Sequence, residues 1–292
     1  MSNAKPPSRV KERTPPIKAR PKGKGSYVIP VFNKVWGAVS DPHLCSTFAR
    51  EDALNSLYER FHQVSQTEGL DTVVCCGNMV DGYIPRINGG YVKRTSVDGQ
   101  IQYTIDHYPS RPGIRTVFIT GDDHEGWWQK EGFNFGKNLE LESIDQGRTD
   151  LVYAGHVEAD LRIEHNGHYD IMRLMHPGGG SAYAVSYKAQ KLIESFEGGE
   201  KPAIFVYGHY HVADFLPYRN VYAIGLPGLQ AQTVFGRKKG LRMEVGGAII
   251  RAAQDDDGHI AACSVEFIMF YDRNFYKKFI VSDNKRIKII EI

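Results

Sequence analysis

Cysteine is scarce. The 292 residues hold four, Cys45, Cys75, Cys76 and Cys263, with no CxxC pair. That excludes a disulfide framework and fits a reduced, cytosolic setting in which the thiols act as small core hydrophobes. Long apolar runs are absent as well. None approaches the roughly 20 residues of a membrane span. The first apolar stretch, Tyr27–Phe32, is short and interrupted by Pro30, unlike a secretory signal. No internal repeat occurs. A composition of 41% hydrophobic and 24% charged residues excludes collagen-like, mucin-like and wholly disordered chains.

Net charge is nearly absent too, at +2 from 36 Lys+Arg and 34 Asp+Glu. That balance conceals a split. Residues 1–25 carry eight basic side chains against Glu12 alone, a charge of +7, which leaves −5 on the other 267 residues. The same segment holds five of the 14 prolines and almost nothing large and apolar. It cannot bury enough surface to offset the entropy of ordering, so a disordered tail is expected over 1–25. Two roles fit it: an arm that contacts polyanions, or a solubilising tail.

Residues 26–292 show no clear linker and read as one domain. Lys34–Ser40 (KVWGAVS), Asp71–Cys76 (DTVVCC), Ile114–Thr120 (IRTVFIT) and Ala203–Tyr207 (AIFVY) are buried-strand runs, each stopped by Gly or by Asp-Pro. Apolar residues from Phe48 to Val64 recur at helical spacing, and Gly69 stops them. Residues 82–113 lack a sustained period and read as a long excursion, with a small hairpin around Val97–Thr104. Helices are expected within 134–146 and over 183–196. Leu151–Glu164 and His168–Met175 flank Asn166-Gly167, a strong hairpin signal. Val221–Ile224, Met243–Arg251, Ile260–Tyr271 and Phe279–Val281 complete a strand-rich final third. The order predicts an α/β fold: two packed sheets with helices outside.

Four of the apolar runs end in polar clusters. They are Ser40-Asp41-Pro42-His43, Gly77-Asn78-Met79-Val80-Asp81, Gly121-Asp122-Asp123-His124-Glu125 and Gly208-His209-Tyr210-His211. His176 follows the hairpin as His-Pro-Gly-Gly-Gly. Parallel strands deliver their C-terminal ends to one sheet edge, where such clusters converge. An Asp-x-His or His-x-His pair on extended backbone aims both side chains to one side. Mixed imidazole and oxygen donors suit manganese, iron or zinc better than calcium or magnesium. Two such metals about 3.5–4 Å apart can activate water and neutralise a phosphoryl group. Each motif alone has a blander reading as a turn, a helix cap or a surface histidine. Their joint order after separate strands favours the metal reading.

On these motifs the chain resembles the calcineurin-like metallophosphoesterases across residues 34–225. The likeness is nearest to their phage and prokaryotic DNA-exonuclease-like branch, which includes double-strand-break-repair nucleases. The resemblance implies a two-sheet β-sandwich flanked by helices, in four α-β-β-α layers. It implies two divalent metal ions, with manganese favoured and iron, zinc, nickel or magnesium as alternatives. It places Asp41, His43 and His211 on the first metal, His176 and His209 on the second, and His124 as the catalytic histidine. Two positions depart from the pattern: Asn78 stands where the family has a bridging Asp, and Asp123 where it has a ligand Asn. An amide is a poorer bridge than a carboxylate, and Asp123 could reach across instead. Asp81 and Asp122 are nearby carboxylates that could compensate.

The resulting expectation is a metal-dependent phosphoester hydrolase, with DNA as the favoured substrate and no membrane partner. Its rivals are a phosphatase or small-molecule phosphodiesterase, and a non-catalytic binding protein with a degraded site. Trp127 and Trp128 could stack on a base or pack in the core. Gly178–Gly180 could lend N–H groups to a phosphate. Arg86, Lys93, Arg94 and Arg111 in the excursion, and Arg237–Lys239, could line a phosphate-backbone path or form solvated surface.

Overall fold

Apolar runs stopped by glycine or polar clusters form the strands that carry the molecule. A computed structural model describes residues 31–180 and 182–271. The basic segment 1–25 and the strand expected at Phe279–Val281 lie outside the described residues. In chain order the first half comprises β1 (Lys34–Val39), α1 (Glu51–Glu68), β2 (Thr72–Cys76), α2 (Pro85–Asn88), α3 (Val97–His107), β3 (Arg115–Thr120), α4 (Gly126–Lys130) and α5 (Phe135–Asp145). Then follow β4 (Leu151–His156), β5 (Glu158–His165), β6 (His168–Met175), α6 (Val185–Ser195) and β7 (Ile204–Tyr207). The described chain closes with β8 (Asp214–Tyr218), β9 (Val221–Gly225), α7 (Val234–Lys239), β10 (Gly246–Gln254) and β11 (Ile260–Met269).

The strands make two mixed sheets, one ordered β11-β10-β1-β2-β3-β4 and the other β5-β6-β7-β9-β8. Parallel pairing runs from β1 through β4, and again across β6, β7 and β9. Alternating side chains sort into two apolar layers. Val39, Val73, Cys75 and Phe118 face Leu54, Leu57, Tyr58, Phe61, Ile101 and Leu139 of α1, α3 and α5. Ala38, Val74, Cys76 and Ile119 face the second sheet through Leu174, Ile204 and Val206. A third layer packs Ala189 and Ile193 of α6 beneath Phe205 and Ala223. The four-layer α/β sandwich follows from this alternation. Each fully buried Leu, Ile or Phe contributes about 1.5–3 kcal/mol. The adjacent thiols Cys75 and Cys76 thus enter opposite layers, as a period of two requires.

Local signals account for the boundaries. Gly69 closes α1 in the left-handed conformation at φ 76°, donating to Ser65 O. Asn166 and Gly167 both have positive φ, the signature of a two-residue hairpin turn, and pair His165 with His168.

Two expectations are corrected, and two elements were not expected. The hairpin around Val97–Thr104 is helix α3: Ser96 caps it by accepting from Gly99 N, and Gln100, Ile101, Thr104 and Ile105 are its buried face. Two of those four are polar, which hides the apolar period. The single strand expected over Leu151–Glu164 is two, because Val157 at φ 67° turns the chain from the first sheet into the second. Strand β8 (DFLPY) and helix α7 (VFGRKK) are short and interrupted by Pro217 and Gly236, so the sequence does not mark them. Among the described residues no helix is long and apolar enough to cross a membrane.

Candidate metal centre

The C-terminal ends of β1, β2, β3, β6 and β7 meet at one edge of the sandwich. There the backbone departs from extended geometry. Eleven described non-glycine residues have positive φ, and six of them are Asp41, His43, Asn78, His124, His209 and His211. A left-handed residue costs roughly 1–2 kcal/mol, and such strain clusters where the surrounding structure holds a functional site. The side chains therefore converge through tight left-handed turns, and not through the extended Asp-x-His and His-x-His geometry expected from sequence. Backbone bonds lock the turns together: Asp41 N donates to Gly77 O, His43 N to Asn78 O, and His176 N to Val157 O.

Two trios that share no residue result: Asp41, His43 and His211 form one, and Asp123, His176 and His209 the other, while His43, Asp81 and His124 make a third group overlapping the first. Asp41 sits between the two trios. Its Oδ2 accepts from Ser40 Oγ at 2.6 Å and from His209 N at 2.9 Å. Its Oδ1 lies 3.2 Å from His211 Nε2, 3.7 Å from His43 Nε2 and 3.9 Å from His176 Nε2. Asp123 Oδ1 is 3.4 Å from His176 Nε2, and its Oδ2 is 3.6 Å from His209 Nδ1. Asp123 thus faces two imidazoles of its own trio. Asp41 Oδ1 thus approaches imidazoles of both trios.

Each of three imidazoles has one nitrogen engaged by an oxygen outside the trios. His43 Nδ1 bonds Asp81 Oδ1 at 3.0 Å, His176 Nδ1 bonds Cys76 O at 2.6 Å, and His209 Nε2 bonds Gly179 O at 2.8 Å. The other nitrogen of each ring is turned toward a carboxylate of its trio. Metal-ligating histidines are oriented in this way. His43 Nε2, His176 Nε2, Asn78 Oδ1 and Asp123 Oδ1 are buried without hydrogen-bond partners. Unpaired buried polar atoms are costly, and such atoms in both trios fit cation ligands.

The electrostatics agree. Burial pushes the Asp41 carboxyl upward, but the charges of His211 and His176 outweigh it and hold it well below the usual range. Burial lowers His43 and His176, yet Asp41 with Asp81, and Asp41 with Asp123, raise them to about 10 and about 9. A metal taken up by these rings would have to displace their protons. Burial and its own trio's imidazole lower His209.

Asn78 donates to Asp41 Oδ1 at 3.2 Å. No negative charge therefore lies between the trios except on Asp41. Asn78→Asp is expected to act with opposite signs in the two forms. In chelator-treated protein it sets a second carboxylate against Asp41 and lowers the melting temperature. In the metal-loaded protein it tightens the weaker metal by about tenfold or more, because ligand charge tunes affinity. Calorimetric manganese titration and thermal melts check both. Unchanged affinity would mean that Asn78 stands outside the site.

His124 lies beside the trios. Its Nδ1 is 2.9 Å from the Asp81 carbonyl, and its ring stands edge-on to His43 at 4.4 Å between centroids. Burial and the charge of His43 lower its pKa. Asp81 thus supports both His43 and His124, and Asn88 Nδ2 and Gln230 Nε2 hold Asp81 in turn. Asp122 does not join: it is exposed and paired with Lys130 at 3.1 Å. Trp127 stacks on His124 at 5.1 Å and lines the cavity, whereas Trp128 stacks on Phe135 and belongs to the core layer.

Of the cationic residues that could line a phosphate path, Lys239 lines the cavity. Arg86, Lys93 and Arg94 do not line the cavity, and Lys93 is bound to Glu51 and Tyr103. Glu125 closes the third polar cluster, and the sequence assigns it no role. It is fully buried, accepts from Gly121 N and Met79 N, and thereby joins the loops after β2 and β3. Burial raises its pKa to about 7. Gly208 has a steric role: a Cβ there would strike Ser40 Oγ and lie 2.9 Å from Asp41 Oδ2.

No family model and no curated protein matches the chain. Among solved structures, it is similar to an archaeal phosphodiesterase at 15% identity, over 81% of this chain and 100% of that one, with a TM-score of 0.42. It is similar to Vps29 of Entamoeba histolytica complexed with zinc at 11% identity, over 82% and 100%, with a TM-score of 0.36. Vps29 of Cryptosporidium parvum gives 13% identity over 82% and 99%, with a TM-score of 0.38.

Proposed function

We propose that this protein is a metal-dependent phosphoester hydrolase holding two divalent ions. The observation that carries the reading is the pair of trios, each of one carboxylate and two imidazoles, with Asp41 Oδ1 between them. Asp41, His43 and His211 would hold one ion, and Asp123, His176 and His209 the other, with Asn78 Oδ1 as a neutral donor. When bound, two such ions supply positive charge to a phosphoryl group and activate a water. The chain's own residues do the rest. Asp81 and the Cys76 and Gly179 carbonyls fix the imidazole orientations. His124, anchored through Nδ1, leaves Nε2 to exchange a proton with the departing oxygen or to hold the phosphate. The donor set supports manganese, iron or zinc.

A DNA phosphodiester is the finer reading. Its support is the +7 segment at residues 1–25 and the placement of Trp127 at the cavity. A small phosphoester is the second reading. It is favoured by the cavity, about 600 Å³ in volume, and by the distance of Arg86, Lys93 and Arg94 from it.

The test is metal stoichiometry with turnover. Chelator-stripped protein titrated with manganese should bind two equivalents. It should then cleave bis(p-nitrophenyl) phosphate at a rate that follows loading. Fewer than one equivalent with no turnover would overturn the proposal and leave the non-catalytic reading.

A further inference from the structure

The rim of the cavity differs from its floor. The floor is the polar cluster just described. The rim carries Ile87 and Tyr91 from the excursion after β2, and Val234 and Phe235 from α7. These side chains are 58%, 41%, 50% and 65% exposed. Two segments almost 150 residues apart thus hold large apolar groups in water around one opening. Single exposed apolar residues need no explanation, but a set gathered at a binding cavity does.

Charge does not explain the rim. Arg242, which lines the opening, is already engaged by Glu244. Lys239 remains as a cation at the opening, with no ion pair among the described residues. A duplex backbone calls for many phosphate contacts, and its affinity comes from them. A rim of aliphatic and aromatic side chains calls for a flat ring instead. Trp127, stacked on His124, adds a further aromatic surface between rim and floor. A cavity of about 600 Å³ falls within the ~300–1,000 Å³ that encloses one small ligand.

We propose that the site takes a phosphodiester carrying one unpaired aromatic base: the phosphate lies over the two trios, and the base lies between Trp127 and the Ile87–Phe235 rim. This deepens the hydrolase reading and rests on it. The same chemistry could come from a small nucleotidyl ester or from the single-stranded end of a nucleic acid.

The experiment compares two esters with the same leaving group, thymidine 5′-(p-nitrophenyl phosphate) and ethyl p-nitrophenyl phosphate, on manganese-loaded full-length protein. The nucleotidyl ester should show a KM about tenfold lower, the worth of one stacked base. Phe235→Ala and Ile87→Ala should each shrink that preference severalfold, with the change falling on KM rather than kcat. Phe235→Trp should restore it. Inhibition by a single-stranded trinucleotide but not by thymidine monophosphate assigns the strand end as the source, and the reverse assigns the small ester. Equal KM values for the two esters, insensitive to Phe235, would overturn the inference while leaving the hydrolase intact. Absence of turnover for both esters with no metal bound would instead remove the hydrolase reading, and this inference with it.

Discussion

Asp41→Asn is expected to lower kcat/KM by about a thousandfold or more, equivalent to about 4 kcal/mol of transition-state stabilisation. It should also lower bound metal below two equivalents. One oxygen of Asp41 is fixed by Ser40 Oγ and His209 N, so the other cannot turn away from the three imidazoles around it. An amide of the same shape removes the charge that both trios share, and can set an N–H donor toward the cations. The stripped protein should suffer as well. There the Asp41 carboxylate is the counter-charge for buried imidazoles. Removing one partner of a buried pair costs about 3–5 kcal/mol. Metal analysis, kinetics and thermal melts of the one variant test all three effects. Retention of two ions with more than a tenth of the activity would mean that the trios are not the reactive centre.

His124→Ala should separate chemistry from metal binding. Turnover is expected to fall by about 10²–10⁴-fold, the range of a lost proton-transfer group. Metal content should stay at two equivalents, since His124 belongs to neither trio of the proposed ions. The contrast is sharp because His43, Asp81 and His124 also lie close enough to form a group of three. If that third group held an ion, His124→Ala would lose metal and activity together. Stoichiometry measured on the same preparation as kcat decides between the two outcomes.

The strand ends were readable because each coincides with a change of chemistry: an apolar run that stops, then Asp, Asn or His. That was enough to gather Asp41, His43, Asn78, Asp123, His124, His176, His209 and His211, since parallel strands in a sandwich leave little choice of edge. The manner of gathering was not readable. Nothing in the local sequence marks His43 or His211 as left-handed, because their neighbours impose that conformation from other strands. Helix α3 was hidden for a similar reason. Gln100 is buried because its amide binds the carbonyls of Gly82 and Arg94, a tertiary bond with no sequence period. Gln230 supports the site from a distant position and Glu125 from within the third cluster, and only the folded chain reveals their partners. The tryptophan pair split as its ambiguity allowed, Trp127 to the cavity and Trp128 to the core. The basic excursion residues turned to ion pairs and solvent, since charge alone does not say which way a loop faces.

The turn at Val157 that carries the chain from one sheet to the other has a further consequence. Asp41, His43 and Asp123 extend from the first sheet, and His176, His209 and His211 from the second. Each trio therefore draws on both halves of the sandwich, and each ion would act as a cross-link between them. Ligands that bind only the folded state raise its stability with the logarithm of their concentration. With both trios loaded, the shared edge of the two sheets would be a seam held by the ions, and the rigidity of the body would follow the metal supply.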